Sequence, residues 1–180
     1  MMKKMLSLLL CAALLLTCAA ALADTASVDI RDRFQIKGTL PDGYKLSVLS
    51  QDDLVLEGEI SSDDPAAPIM RLYVSFNETY AAKDTLKDMS DQELQVICQS
   101  FTEEYSVTFD RLDTASGVPL LSARETGDSA DFLDFYTIFR GHEIELWLSK
   151  VDGADDPTLT EAQISRCIEL IKTLEIIPLR

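Results

Sequence analysis

Apolar and polar residues alternate with a period of two along much of the chain, which is typical of strands buried on one face. The clearest case is residues 131–150, DFLDFYTIFRGHEIELWLSK, in which two apolar runs flank Arg140-Gly141-His142. Gly141 readily adopts the positive φ that a tight turn requires. The pattern therefore predicts a β-hairpin around which the sheet is organised.

The hairpin sorts its side chains onto two faces, because neighbouring residues of a strand point to opposite sides. The predicted core face comprises Leu133, Phe135, Thr137, Phe139, His142, Ile144, Leu146 and Leu148. The opposite side, called the mixed face below, carries Phe132, Asp134, Tyr136, Ile138, Arg140, Glu143, Glu145, Trp147 and Ser149. A slip of one residue would move the apolar residues of the second strand onto the mixed face, so we expect a well-fixed register.

Four strands are predicted before the hairpin, at residues 34–40, 44–48, 54–60 and 70–76. Short turns such as Pro41-Asp42-Gly43 separate them and predict an antiparallel meander. Two further strands are predicted within residues 106–117 and 118–125. The polar residues 24–33 are expected to be flexible.

Two amphipathic helices are predicted, and each begins with a capping box, Ser90 with Glu93 and Thr160 with Gln163. Their apolar stripes are Leu94, Ile97, Cys98, Phe101 and Tyr105 in the first, and Ile164, Cys167, Ile168, Ile171 and Leu174 in the second. Pro178 is expected to stop the second helix. Residues 34–180 are therefore predicted to form one α+β domain, in which a mostly antiparallel sheet of six or seven strands is flanked by two helices.

The first 23 residues have the organisation of a secretory signal peptide. Lys3 and Lys4 precede an apolar segment, and Ala21-Leu22-Ala23 forms an A-x-A cleavage site. We expect cleavage after Ala23, secretion, and no membrane insertion afterwards, since a spanning helix needs about 20 apolar residues. Residues 15–18 approximate a lipobox, but Thr17 stands where a smaller residue is usual, which argues against a lipid anchor at Cys18.

The chain is acidic, with 16 Lys and Arg against 31 Asp and Glu and a formal net charge of −15. Such a charge disfavours nucleic acid and anionic membranes as partners. Cys98 and Cys167 remain after signal cleavage, and both lie near the middle of an apolar stripe. We expect them to lie close enough to interact in the core, either as a disulfide or as two buried thiols.

Few residues have the spacing of a catalytic or metal site. His142 is the only histidine, which excludes zinc sites built from several imidazoles, and its position beside Gly141 predicts a surface turn residue. The acidic segment 152–156 lacks the alternating ligands of a calcium loop and is interpreted as a solvated loop. No metal site and no cofactor are expected.

Residues 34–44, FQIKGTLPDGY, resemble the entry motif F-x-I-x-x-x-L-P-x-G-aromatic of the Mog1/PsbP-like superfamily. Residues 169–176, ELIKTLEI, are similar to the closing helix of that group, and the order of elements matches along the mature chain. The resemblance implies an antiparallel sheet sandwiched by helices and a non-catalytic accessory or binding role. It brings no shared catalytic motif, so it assigns no functional residue.

Two functions are therefore considered. The first is a secreted, non-catalytic binding or accessory domain for an extracellular protein or a small ligand. The alternative is a small extracellular hydrolase that uses acidic residues. A cleft with two converging carboxylates would favour the hydrolase, whereas a shallow aromatic face would favour the binding domain.

The mixed face supplies the candidate binding residues, with Trp147 and Tyr136 as anchors. The complete set is Tyr73, Phe132, Tyr136, Arg140 and Trp147. A second interpretation of the same residues is that segment 78–89 or 106–117 covers them as a second small core, because large aromatic side chains are usually buried.

Overall fold

The computed structural model describes residues 24–102, 107–125, 133–150, 156 and 158–180. The predicted signal peptide and Phe132 lie outside the described residues. Within them the chain forms a seven-stranded antiparallel sheet, a three-stranded sheet and two α-helices. The predicted α+β class with a mostly antiparallel sheet is confirmed, and the small second sheet is a feature that the sequence did not predict.

The strands of the large sheet lie in the order β3-β4-β5-β9-β8-β7-β6. They are β3 (Tyr44–Gln51), β4 (Val55–Ser62), β5 (Ile69–Phe76), β6 (Val107–Asp113), β7 (Pro119–Glu125), β8 (Leu133–Phe139) and β9 (His142–Ser149). The small sheet has the order β1-β2-β10, with β1 (Thr25–Ile30), β2 (Phe34–Thr39) and β10 (Glu175–Pro178). The helices are α1 (Asp91–Thr102) and α2 (Glu161–Thr173), and 3-10 turns span Glu78–Tyr80 and Leu86–Asp88.

The large sheet is covered on both faces by different elements. On its core face, α2 and the small sheet enclose the main hydrophobic core, in which Phe34, Ile144 and Ile171 are completely buried. On its mixed face, α1 and the 3-10 turns enclose a second, smaller core around Ile138. The two cores place the two helices on opposite sides of the same sheet.

The β8–β9 hairpin has the predicted register. Phe139 pairs with His142 across the two-residue turn Arg140–Gly141. Both turn residues have positive φ, 48° and 75°, as a type I′ turn requires. Every residue of the predicted core face is buried, so the assignment of the two faces is confirmed.

His142 is buried, and its prediction as a surface turn residue is wrong. Its ring lies between Phe34 and Phe76, with centroid distances of 5.2 Å to each. Its Nδ1 lies 3.0 Å from the carbonyl oxygen of Arg140. Burial lowers the pKa of the imidazole. The residue follows the turn immediately, but strand parity directs its side chain to the core face.

The N-terminal segment is ordered, and the expectation that residues 24–33 are flexible is wrong for β1. All six residues of β1 pair with β2, and Val28 and Ile30 are buried. The other neighbour of β2 is β10, and β2 does not pair with β3. The turn at Pro41-Asp42-Gly43 therefore carries the chain from the small sheet to the large one, and the meander starts at β3.

The second helix begins as predicted but ends earlier. Thr160 and Gln163 form the reciprocal capping box. The helix ends at Thr173, and β10 then pairs with β2. The helical continuation through Leu174 and Ile176 was therefore wrong. Ile176 is buried in the main core from the strand, so tertiary pairing overrides the helical spacing at this point.

Gly141 is expected to be required by both its conformation and its surroundings. A Cβ there would lie 2.9 Å from the Cα of Ala81, and φ is +75°. Gly117 has φ +74° with nothing within 4 Å of a Cβ. Gly117→Ala should therefore cost about 1 kcal/mol for the left-handed backbone alone. Gly141→Ala should lower the free energy of unfolding by about 2–4 kcal/mol, because strain and a backbone clash add.

Denaturant unfolding of the two variants measures this difference. Equal losses for Gly117→Ala and Gly141→Ala would contradict the close approach of the segment that contains Ala81 to the hairpin turn.

Candidate functional site

The mixed face continues across four adjacent strands as two cross-strand rows of aromatic and charged residues. From β4 to β8, one row is Glu57, Tyr73, Glu145 and Tyr136, and the other is Glu59, Arg71, Trp147 and Asp134. Neighbours within a row lie side by side because paired residues of adjacent strands share a face. The rows therefore place aromatic rings between carboxylates over the centre of the sheet.

The β8 half of this face is covered. Tyr136, Ile138 and Asp134 are buried beneath α1 and the 3-10 turns. The ring of Phe101, from α1, packs edge-on against Tyr136 at 6.0 Å between centroids. The interpretation as a second small core is correct for this half, with segment 78–89 supplying part of the cover. Tyr136 is therefore not an exposed anchor, and that prediction is wrong.

The β5–β9 half remains accessible. Tyr73 is 40% exposed and Trp147 is 43% exposed. Trp147 stands between two depressions and lines both of them. One is a cleft of about 450 Å³ between α1 and the sheet, and the other is a depression of about 560 Å³ over β3, β4 and β5. We call the first the Trp147 cleft; its walls include Tyr80, Phe101, Asp134, Tyr136, Glu145 and Trp147.

Asp134 is the most unusual group in the Trp147 cleft. The residue is only 3% exposed, and its Oδ1 accepts a hydrogen bond from no described residue. Burial raises the pKa of its carboxyl far above the usual range, and the negative charge of Glu145 and a hydrogen bond with it add to this rise. The protonated form of Asp134 is therefore favoured in the folded protein.

Glu143 has a different role, because its carboxylate is already satisfied. Tyr136 donates a hydrogen bond of 2.6 Å to Oε1, and the Asn77 side chain donates one of 2.9 Å to Oε2. Burial raises the pKa of the Tyr136 hydroxyl, and its hydrogen bond to Glu143 raises it further. Asp134 and Glu145 are the other two carboxyl groups in the wall of the cleft.

Arg140 does not join this site. Its guanidinium lies over the Phe139 ring, 5.9 Å from the centroid, at the tip of the hairpin. It lines neither the Trp147 cleft nor the neighbouring depression, so the structure does not bring it together with the other predicted site residues. Of the predicted site residues, Tyr73 and Trp147 are therefore the two that are exposed and line a depression.

The two cysteines lie in different cores. Cys98 packs into the small core under α1, and Cys167 lies in the main core under α2. Both are free thiols, and burial raises the pKa of each. The prediction that they interact is wrong, because the apolar stripe of a helix does not specify which face of the sheet it covers.

Among the described residues, no group of three or more His, Cys, Asp or Glu is placed to hold a metal ion. No α-helix in the described part of the chain has the length and apolar character needed to cross a membrane. Comparisons of the chain with protein-family models, with curated proteins and with solved structures found no match.

Proposed function

We propose that this protein is a secreted, non-catalytic binding domain and that its binding site is centred on Trp147. The observation that carries the proposal is the position of this ring, half exposed on central strand β9 between two depressions. Large aromatic residues in such places dominate binding energies, because they bury much area at little cost in side-chain entropy.

The charge of the surface favours a basic ligand. Carboxyl groups of Glu57, Glu59 and Glu145 line the two depressions, and Arg71 is the basic residue among them. The whole chain has a formal net charge of −15. A ligand that combines positive charge with apolar groups would complement both the carboxylates and the aromatic rings.

The shape of the surface favours an extended peptide segment of an extracellular partner. The two depressions meet at Trp147, and the cross-strand rows run over four strands from β4 to β8. With strands about 4.8 Å apart, such a row spans about 14 Å, which is the length of about four extended residues. A basic peptide can therefore cross Trp147 and occupy both depressions.

The alternative, a hydrolase that uses acidic residues, has one feature in its favour: Asp134 and Glu145 converge in the Trp147 cleft. The two carboxyl groups of glycosidases are about 5–9.5 Å apart so that a sugar and water fit between them. Glu145 instead raises the pKa of the Asp134 carboxyl through its negative charge and a hydrogen bond, which leaves no room for a sugar and water between the two groups. The Trp147 cleft therefore does not fit glycoside hydrolysis, and the binding domain is the better supported proposal.

Two further proposals rest on the sequence. Secretion rests on the signal-peptide features of residues 1–23. Membership of the Mog1/PsbP-like superfamily rests on residues 34–44, and the antiparallel sheet with helices on both faces agrees with the architecture that this resemblance implies. Both support a non-catalytic extracellular role.

Binding is testable with the peptide acetyl-Ala-Leu-Lys-Leu-Ala-amide. Because Trp147 is the only tryptophan, intrinsic fluorescence reports directly on the site, and we expect a saturable change on titration. Trp147→Ala should weaken binding, measured by calorimetry, by about 2 kcal/mol or more, which corresponds to a roughly 30-fold higher Kd.

Leu54→Ala is the matched control. Leu54 is 62% exposed and lines neither depression, so its removal should leave the Kd unchanged. The proposal would be wrong if the peptide produced no saturable signal, or if Trp147→Ala bound the peptide as tightly as the unaltered protein.

A further inference from the structure

The unsatisfied oxygen of Asp134 indicates what the Trp147 cleft receives. A buried acceptor without a hydrogen bond destabilises the folded protein, and native proteins contain few of them. Among the described residues, Asp134 Oδ1 is the one buried side-chain N or O atom without a partner. Asp134 lines the Trp147 cleft, although Oδ1 itself is sealed from solvent in the free protein, so a ligand with an N–H donor satisfies it once the side chain turns towards the cleft.

The walls of the cleft select among such donors. The rings of Trp147 and Phe101 line its sides, and the Asp134–Glu145 pair supplies two carboxyl groups. A primary ammonium is compact and carries three donors. A quaternary ammonium has no N–H, and the broad planar fork of a guanidinium suits a bidentate carboxylate better than two separate ones. A primary ammonium on a slender alkyl stem therefore fits best.

We propose that the cleft receives a lysine side chain of the bound peptide, with its ammonium donating to Asp134 and Glu145 and its alkyl stem against Trp147. This inference rests on the proposed binding function and specifies the ligand of that site. The apolar stem and the charged head of lysine match the two kinds of wall that the cleft presents.

Capture of the ammonium is expected to release a proton. Asp134 is protonated in the free protein because it is buried beside Glu145. When the ammonium binds, the Asp134 carboxyl becomes a carboxylate, its proton passes to the solvent, and the lysine retains its three N–H bonds. The free energy of binding therefore becomes more favourable as pH rises, by up to tenfold in Kd per pH unit.

The groups that face Asp134 agree with this coupling. Glu145 and Glu143 come from β9 and Tyr136 from β8, while the 3-10 turn contributes Tyr80 and α1 contributes Ser100. Across β9, Arg71 pairs with Trp147, and Ala123 of β7 pairs with Asp134. The charges nearest to Asp134 are therefore those of the two glutamates and of the incoming ammonium. The glutamates favour the protonated form of Asp134, and the ammonium favours its carboxylate form.

The test uses acetyl-Ala-Leu-Lys-Leu-Ala-amide and its ε-trimethyl-lysine counterpart, which keeps the charge but has no N–H donor. Calorimetry at about pH 6 and about pH 8, in buffers of different ionisation enthalpy, measures both Kd and the number of protons released. We expect the lysine peptide to bind at least about tenfold more tightly at the higher pH with proton release, and to bind at least about tenfold more tightly than the trimethylated peptide.

Variants separate the carboxyl pair from general electrostatics. Asp134→Asn should abolish the proton release and the pH dependence, and Glu145→Gln should weaken binding without displacing Trp147. Asp42→Asn removes the same charge from an exposed turn next to α2, on the core-face side, and should change neither property.

The outcomes distinguish the two levels of the proposal. Equal binding of the lysine and trimethyl-lysine peptides without proton release would overturn the lysine site, while a remaining dependence on Trp147 would leave the binding function standing. Equally tight binding of free n-butylamine would overturn a peptide as the source of the ammonium. If no peptide perturbed the fluorescence of Trp147, the binding function itself would be wrong.

Discussion

Replacing Leu146 with aspartate is expected to abolish the cooperative unfolding transition. Leu146 is buried on β9, where it pairs with Leu72 of β5 and with Phe135 of β8. A carboxylate in this position has no polar partner, and burying it costs several kcal/mol. Domains are stable by only about 5–15 kcal/mol, so loss of the leucine and burial of the charge together remove most of that margin. Circular dichroism during heating should show no native transition.

Two other substitutions control for this result. Leu146→Ala should lower the free energy of unfolding by about 2–5 kcal/mol yet preserve a cooperative transition, because it creates a cavity without a buried charge. Ser149→Asp places the same carboxylate on the mixed face of the same strand and should also unfold cooperatively. If Leu146→Asp melted as sharply as Ser149→Asp, the assignment of the two faces of the hairpin would be wrong.

The hairpin was predictable because its determinants are local. Strand parity assigns each side chain to a face, and Gly141 supplies the turn conformation. The prediction failed for the exposure of His142, which was inferred from its position next to the turn in the sequence. Its parity already placed it on the core face, and that signal was stronger than its position beside the turn.

Strand partners were less predictable, because pairing is not local. The turn at Pro41-Asp42-Gly43 is compatible with a tight hairpin and equally with a crossing between two sheets. The outcome depends on β1 and β10, which enclose β2 from both sides. The sequence of β1 is mostly polar, and β10 lies where the helical spacing of α2 continues, so neither segment was predicted to be a strand.

The placement of the helices also required the complete fold. Apolar stripes predict that α1 and α2 are buried on one side, but they do not specify the face of the sheet. The mixed face carried a usable signal, since Tyr136 and Ile138 together are too apolar for a solvent-exposed surface. Assigning α1 to that face would have separated Cys98 from Cys167 and corrected the predicted contact between them.

The candidate site was predicted in part for the same reason. Trp147 and Tyr73 were identified by parity, and both are exposed, as the first of the two interpretations of the mixed face requires. Asp134 was placed on the correct face but not recognised as unusual, because its burial and its unsatisfied oxygen arise only when α1 packs over β8. A single acidic residue within an apolar strand was the available signal.

Replacing Asp134 with asparagine is expected to stabilise the folded protein at neutral and alkaline pH. The asparagine amide resembles the protonated carboxyl in shape. Asp134 interacts with the backbone N–H of Phe135 and with the side chain of Glu145. The amide oxygen can accept a hydrogen bond from the first, and the amide NH₂ can donate one to the second. Unlike the carboxyl, the amide does not ionise when the chain unfolds, so the unfolded state of the variant gains no stability as pH rises.

The sign of the pH dependence follows from the direction of the shift. The folded state raises the pKa of Asp134 above its ordinary value of 3.8, so it holds the proton more tightly than the unfolded chain does. Below about pH 4 Asp134 is protonated in both the folded and the unfolded state, and its contribution to the free energy of unfolding is fully present. As pH rises, the unfolded state ionises and gains stability, until the folded pKa is passed.

The free energy of unfolding of the unaltered protein should therefore fall from about pH 4 towards alkaline pH, and Asp134→Asn should remove this part of the slope. The variant should match the unaltered protein near pH 4 and exceed it by about 2 kcal/mol or more near pH 8, since each unit of pKa difference corresponds to about 1.4 kcal/mol. Denaturant titrations at the two pH values measure the difference, and Asp42→Asn, at an exposed turn, should shift stability by less than about 0.5 kcal/mol at both. A variant that is less stable than the unaltered protein at pH 8 would mean that Asp134 is ionised and stabilising in the folded state, and the protonated Asp134 in the Trp147 cleft would then be wrong.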